Sequence, residues 1–230
     1  MKPDVIVTWP RNCDYPLWRE YVRQNRSRMN EVIVVFMETH EGEDYREFVK
    51  KSMFWDRALC AGMPPAYAGD WRNVAVNTGL EYSMHSEWIW FTEQDFFPGP
   101  DFWNKVEEYS KDHDYIGIKE GDRLHPACLF VRRSVLYETR RDFGIVPNKL
   151  DHFGLIAEDL ASKNGAILSP DLYVHMAGLS HNYTLISRHE APNHKVEQFN
   201  EYCRGCLKLS IGLHPSFEET VRTYLASATT

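Results

Sequence analysis

The chain has 230 residues, 43% of them hydrophobic and 13% aromatic, with a formal net charge of -7 and a sequence pI near 5.8. That length suits one large domain or a core with an appendage, and the apolar share is enough for a substantial interior. The acidic balance argues against a nonspecific nucleic-acid binder, which is normally basic.

The first apparent strand begins within a few residues of Met1, with no charged-then-apolar leader ahead of it. No apolar run approaches the ~20 residues that cross a bilayer. The expectation is a cytoplasmic protein with no membrane span. Five scattered cysteines, an odd number, fit a reducing compartment better than a disulfide scaffold.

Val5 to Thr8 reads as the first strand, and Trp9 to Cys13 as the loop after it. That loop has no glycine, so a dinucleotide fingerprint is absent. Asp14 can cap a helix to about Arg28, with Trp18, Tyr21 and Val22 on one face. Val32 to Met37 is a second apolar strand, and strand-helix-strand at this spacing predicts a parallel pair. Between Glu41 and Asp70 the pattern is weaker: a short helix around Tyr45, Phe48 and Val49, then loops at Gly62 to Pro65 and at Gly69.

From Trp71 a helix is predicted with Val76, Leu80 and Met84 on one face. Arg72 and Asn73 open it, where free backbone N–H groups can hold a phosphate. Trp88-Ile89-Trp90-Phe91 is an unbroken apolar run, as in a strand covered on both faces. Glu93, Gln94 and Asp95 follow it, at the strand end where open α/β sheets bind ligands. Phe96 to Pro100 then breaks the strand.

Phe102, Val106 and Tyr109 mark the next helix, Tyr115 to Lys119 and Ala127 to Val131 two strands, and Gly121 to Pro126 the loop between. Arg132, Arg133 and Ser134 lead into a further helix. Arg123, Arg132, Arg133, Arg140 and Arg141 form a basic cluster, either solvated or facing phosphate. Asp151 to Lys163 reads as a helix that buries Phe153, Ile156 and Leu160 and carries Glu158 and Asp159. Ala166 to Leu168 and Tyr173 to Met176 are the last core strands, the second bearing His175. Beyond Ala177 the pattern loosens into a loop, with Phe217, Val221 and Leu225 on a final helix. Cys203 and Cys206 have metal-ligand spacing, with His189 and His194 nearby; a zinc site and free thiols are both open.

Asn77-Thr78-Gly79-Leu80 on a helix, a buried strand, and then Glu93-Gln94-Asp95 resembles the nucleotide-sugar glycosyltransferases of the GT-A fold, closest to family 2. The acidic motif departs from the family's Asp-x-Asp: Glu stands first and Gln fills the middle. The resemblance implies an α/β, GT-A-like (Rossmann-like) fold, a mostly parallel sheet flanked by helices. It implies a catalytic core over 1–176 and a C-terminal loop and helical extension over 177–230.

The resemblance also implies roles. Thr8, Pro10, Arg11 and Glu38 would hold the base and ribose of a UDP- or GDP-type donor. Arg72, Asn77, Glu93, Gln94 and Arg188 would contact the rest of it. Asp95, Glu93 and His175 would carry Mn2+ or Mg2+. Asp159, helped by Glu158, would be the general base of an inverting transfer, taking the acceptor hydroxyl proton. The acceptor would be a glycan, a small molecule or a modified nucleic-acid base. Two other readings stay open: a nucleotidyltransferase on a related fold, and a non-catalytic relative that binds a nucleotide or glycan. The first would usually carry a glycine-rich basic loop after strand one, which residues 9–14 lack.

Overall fold

The computed structural model describes residues 1–9, 16–36, 55–60, 71–93, 96–120, 123–144 and 153–175. Nine strands and five α-helices are described: β1 (Asp4–Trp9), α1 (Pro16–Asn25), β2 (Val32–Phe36), β3 (Arg57–Cys60), α2 (Trp71–Tyr82), β4 (Trp88–Glu93), β5 (Phe96–Pro98), α3 (Phe102–Tyr109), β6 (Tyr115–Glu120), β7 (Arg123–Arg132), α4 (Arg133–Tyr137), α5 (Gly154–Leu160), β8 (Gly165–Ile167) and β9 (Tyr173–His175). Seven strands form one sheet in the order β3-β2-β1-β4-β7-β6-β8. β1, β2, β3 and β4 run parallel, β7 runs against both β4 and β6, and β8 is parallel to β6. β5 and β9 pair as a separate two-stranded ribbon.

Successive side chains of a strand point to opposite faces, so each apolar run feeds two cores. Val5, Val7, Trp90 and Phe130 face one layer, where Trp18 and Tyr21 of α1 and Phe102, Trp103 and Val106 of α3 cover them. Ile6, Ile89, Phe91, Leu129 and Val131 face the other, covered by Val76, Leu136, Phe153, Ile156 and Leu160. Trp90 is the hub of the first layer: Phe130 stacks on it at 5.1 Å and 4°, and Trp103 meets it edge-on at 5.3 Å. Such ring geometries add to the area they bury.

α2 lies close on the sheet. A β-carbon at Gly79 would stand 2.6 Å from Ile6 Cγ2 and 3.2 Å from Val35 Cγ2, so only glycine permits this approach. At the foot of α2, the wholly buried Asp4 carboxylate gathers Asn30 Nδ2, Ser83 Oγ, the His85 and Ser86 amides, and Arg133 Nη2 at 2.9 Å. Burial alone would raise its pKa. The hydrogen bonds from Asn30, the Ser86 amide, Ser83 and the His85 amide outweigh it and hold the carboxyl below its ordinary value.

Several boundaries differ from the sequence expectation. Met84 falls beyond the end of α2 and is 69% exposed, so it is not a core residue. The expected helix over 151–163 is Gly154–Leu160, entered through Phe153 in a left-handed conformation (φ 69°). Phe96–Pro98, expected only to end β4, is a strand that receives β9. β7 runs through Pro126 back to Arg123, where a loop was expected. β3 was not foreseen. The expected helix around Tyr45, the C-terminal extension over 177–230, and Cys203, Cys206, His189 and His194 lie outside the described residues. Among the described residues no helix is long and apolar enough to cross a membrane.

Candidate functional site

The carboxyl end of β4 is the centre of the polar cluster. In the ladder Glu93 stands beside Thr8 of β1, and Thr92 Oγ1 donates to Ala127 O of β7 at 3.0 Å. The end of β4 is thus pinned on both sides. After residues 94–95 the chain returns as β5, and Phe96 pairs with His175 of β9. This brings His175 Nε2 to 3.7 Å from Glu93 Oε2, with both side chains largely buried. Phe96, Tyr173 and His175 pack as one aromatic group, Phe96 and Tyr173 at 5.0 Å and Phe96 and His175 at 6.5 Å.

A second histidine completes the cluster. His125, near the start of β7, meets the His175 ring edge-on at 4.6 Å. Its Nδ1 accepts the Ala127 amide at 3.1 Å. An amide can only donate, so this nitrogen carries the lone pair, and the neutral ring holds its proton on Nε2. Tyr173 nearby is a neutral phenol, because burial and then the adjoining Cys128 push its pKa up to about 12. Burial also drives the Cys128 thiol far above its ordinary range, which leaves it an inert packing group.

Ligand atoms on one hard divalent cation lie roughly 3 Å apart when adjacent and about 4 Å apart when opposite, for bonds near 2.1 Å. The 3.7 Å between Glu93 and His175 fits that range. The two residues therefore suit two positions on such an ion. Asp95, the expected third ligand, lies outside the described residues, as do Pro10, Arg11, Glu38, Gln94 and Arg188. Arg72 is on the first turn of α2, and its side chain is likewise outside them. Among the described residues, no group of three or more His, Cys, Asp or Glu converges as a metal site.

No protein-family model matches the chain, and no curated protein matches it significantly. Solved structures do resemble it. Glucosyl-3-phosphoglycerate synthase from Mycobacterium tuberculosis, in complex with phosphoglyceric acid, superposes with a TM-score of 0.50 at 13% identity, covering 83% of this chain and 81% of that one. The fold is GT-A-like. The same synthase with Mn2+, uridine diphosphate and phosphoglyceric acid gives 0.50 at 14% identity, over 83% and 80% of the two chains. TarS of S. aureus covers 96% of this chain and 77% of its own at 14% identity, with a TM-score of 0.46.

Within this GT-A-like frame the expected site residues fall into two groups. Thr8, Glu93 and His175 lie together at the carboxyl end of the parallel strands. Glu158, Asp159 and Asn77 do not join them. α5 starts where Phe153 packs on Phe91, near the top of β4. It runs toward Asn164, which binds Asp112 O and Asp114 Oδ2. Gly165 then pairs with Tyr115, level with Val131 and Ile89, near the opposite edge of the sheet. Asp159, on the last turn of α5, is therefore roughly 9 Å of helix below Phe153, away from Glu93.

There Arg140 clasps Asp159, Nε to Oδ1 at 2.9 Å and Nη2 to Oδ1 at 2.8 Å, while Arg140 Nη2 lies 3.5 Å from Glu158. The bond from Arg140 holds the Asp159 carboxyl below its ordinary pKa, a poor setting for a proton acceptor. Asn77 is used structurally: its Nδ2 donates to Asn73 O, Asn73 Oδ1 and Arg141 O, tying α2 to the segment before α5.

His125 is the site residue that sequence reasoning missed. The signal was present: β7 runs antiparallel to β4, so residues just before its apolar run stand beside the acidic tip. Pro126 concealed it by suggesting a loop.

Proposed function

We propose that the chain transfers a sugar from a nucleoside-diphosphate donor to an acceptor hydroxyl, with a divalent cation at the end of β4. The pairing of Glu93 with His175 carries this reading, because it gathers a carboxylate and an imidazole where open α/β sheets bind ligands. The cation would supply charge neutralisation for the departing diphosphate. Glu93 and His175 would hold it, with Asp95 adjoining in sequence. A mixed oxygen and nitrogen donor set favours Mn2+ over Mg2+. With Thr8 beside Glu93 at the end of β1, the nucleotide would lie on the β1–β2 side of the tip and the acceptor on the β7 side.

The GT-A-like structures that contain uridine diphosphate and Mn2+ make UDP-glucose the first donor to assay. We assign the base to neither Asp159 nor Glu158, since Arg140 occupies both. Release of UDP from UDP-glucose, with and without Mn2+, is the direct test, run on wild type, Glu93→Gln and His175→Ala. Metal-dependent turnover lost in both variants supports the reading. Turnover that both variants retain overturns it.

A further inference from the structure

A cavity of about 450 Å3 lies at the edge of the sheet away from Glu93. Its floor is apolar: the buried Ile89 and Leu136, with Leu80 beside them. Met84 and Tyr137 stand at its mouth, 69% and 62% exposed. Three guanidiniums line it, and they differ in what they hold. Arg133 donates to Asp4, to Ser83 O and to Ser86 O. Arg140 is held by Asp159 and Glu158. Arg141 is in no ion pair among the described residues, and its guanidinium lies over the Tyr137 ring at 5.6 Å.

The backbone at Arg141 is equally unusual. Its φ is 53°, a left-handed conformation that favours glycine and is uncommon for a long side chain. The surroundings impose it from both sides: Asn77 Nδ2 donates to Arg141 O at 3.2 Å, and the Arg141 amide donates to Thr139 Oγ1 at 3.2 Å. A strained residue held in place by its neighbours, with its charge in the lining of a cavity with an apolar floor, is a feature of ligand sites.

We propose that this cavity is a second small-molecule site, separate from the transfer cleft, for an amphipathic anion. The ligand has one carboxylate, phosphate or sulfonate group on an apolar or aromatic body. The body rests on Ile89, Leu80 and Leu136, and the anionic group meets Arg141 over Tyr137. Glu81, also in the lining, repels a second negative charge and excludes polyanions such as nucleoside diphosphates. The site stands independently of the transfer chemistry proposed above.

The test uses a pair of fluorophores on the full-length chain: 1-anilinonaphthalene-8-sulfonate and its uncharged parent N-phenyl-1-naphthylamine. The sulfonate should bind saturably at one equivalent, and UDP with Mn2+ should not displace it. Arg141→Ala should weaken the sulfonate at least about tenfold while changing the uncharged compound by less than about twofold. Met84→Glu, at an exposed position, should weaken both. Arg141→Gly relieves the backbone, so it should melt at or above the wild-type temperature and still lose the sulfonate. Unsaturable binding, displacement by UDP with Mn2+, or equal sulfonate affinity in the wild type and either Arg141 variant would overturn the proposal.

Discussion

Glu93 arrives at the tip on a parallel strand, and His175 is delivered to it by a ribbon outside the main sheet. A carboxylate and an imidazole so placed would share a divalent cation in the proposed transfer. Replacing either is expected to lower UDP-glucose turnover at least about 100-fold and to raise the Mn2+ concentration for half-activation. Asp159→Asn, which loosens only the Arg140 clasp, should leave that turnover near wild type; a collapse would return the base to Asp159.

Asp4 gives a second residue-scale prediction, on stability. Asp4→Asn leaves Arg133 without its carboxylate and should cost about 3 kcal/mol by urea unfolding. The folded pKa of Asp4 is lowered, so its contribution is complete above the unfolded carboxyl value and fades as pH falls through the folded one. Acid unfolding monitored by circular dichroism should therefore lose its steepest segment in the variant. At this scale the approach of Glu93 and His175 was legible, both being polar residues at the ends of apolar runs. The place of Asp159 beside Arg140 was not, because chain order does not say toward which edge of a sheet a helix descends.

Among elements, α2 and β1 depend on a missing side chain. Gly79→Val would drive a methyl group into Ile6 and Val35, which are both buried. The helix must lift, at a cost of about 1–3 kcal/mol, readable as a lower melting temperature. Trp90→Leu should cost about as much or more, since Phe96, Phe102, Trp103 and Phe130 all lean on that ring. The long apolar strands β1, β2 and β4 were read from pattern alone because burial on both faces leaves few polar residues in them. β9 was also read from the sequence, but β5 was harder: it is three residues long and exists only as the partner of β9, so no local period announces it. β7 was cut short at Pro126 because proline normally ends strand pairing.

The whole molecule has two distinct edges separated by the length of β4, roughly 17 Å. The Glu93 cluster occupies one and the Arg141 cavity the other. Saturation with UDP and Mn2+ at about 100 times the dissociation constant should stabilise the fold by about 2.7 kcal/mol. His175→Ala should abolish that thermal shift, while Arg141→Ala should leave it intact. A mostly parallel sheet flanked by helices was implied by the family resemblance, but no periodicity in the sequence separates one edge from the other. That distinction arises from contacts between residues far apart in the chain.

The knot at Asp4 shows what such distance entails. Its cation, Arg133, follows 129 positions later. A nascent chain on the ribosome that has not yet released Arg133 carries Asp4 without its cation beneath the first strand, and β7, which ends at Arg132, is not yet free to join β4 and β6. Contacts of such span delay closure of a domain until synthesis has passed them. Translation stalled short of that arginine should yield protease-sensitive chains, and release a few dozen codons later should yield resistant ones.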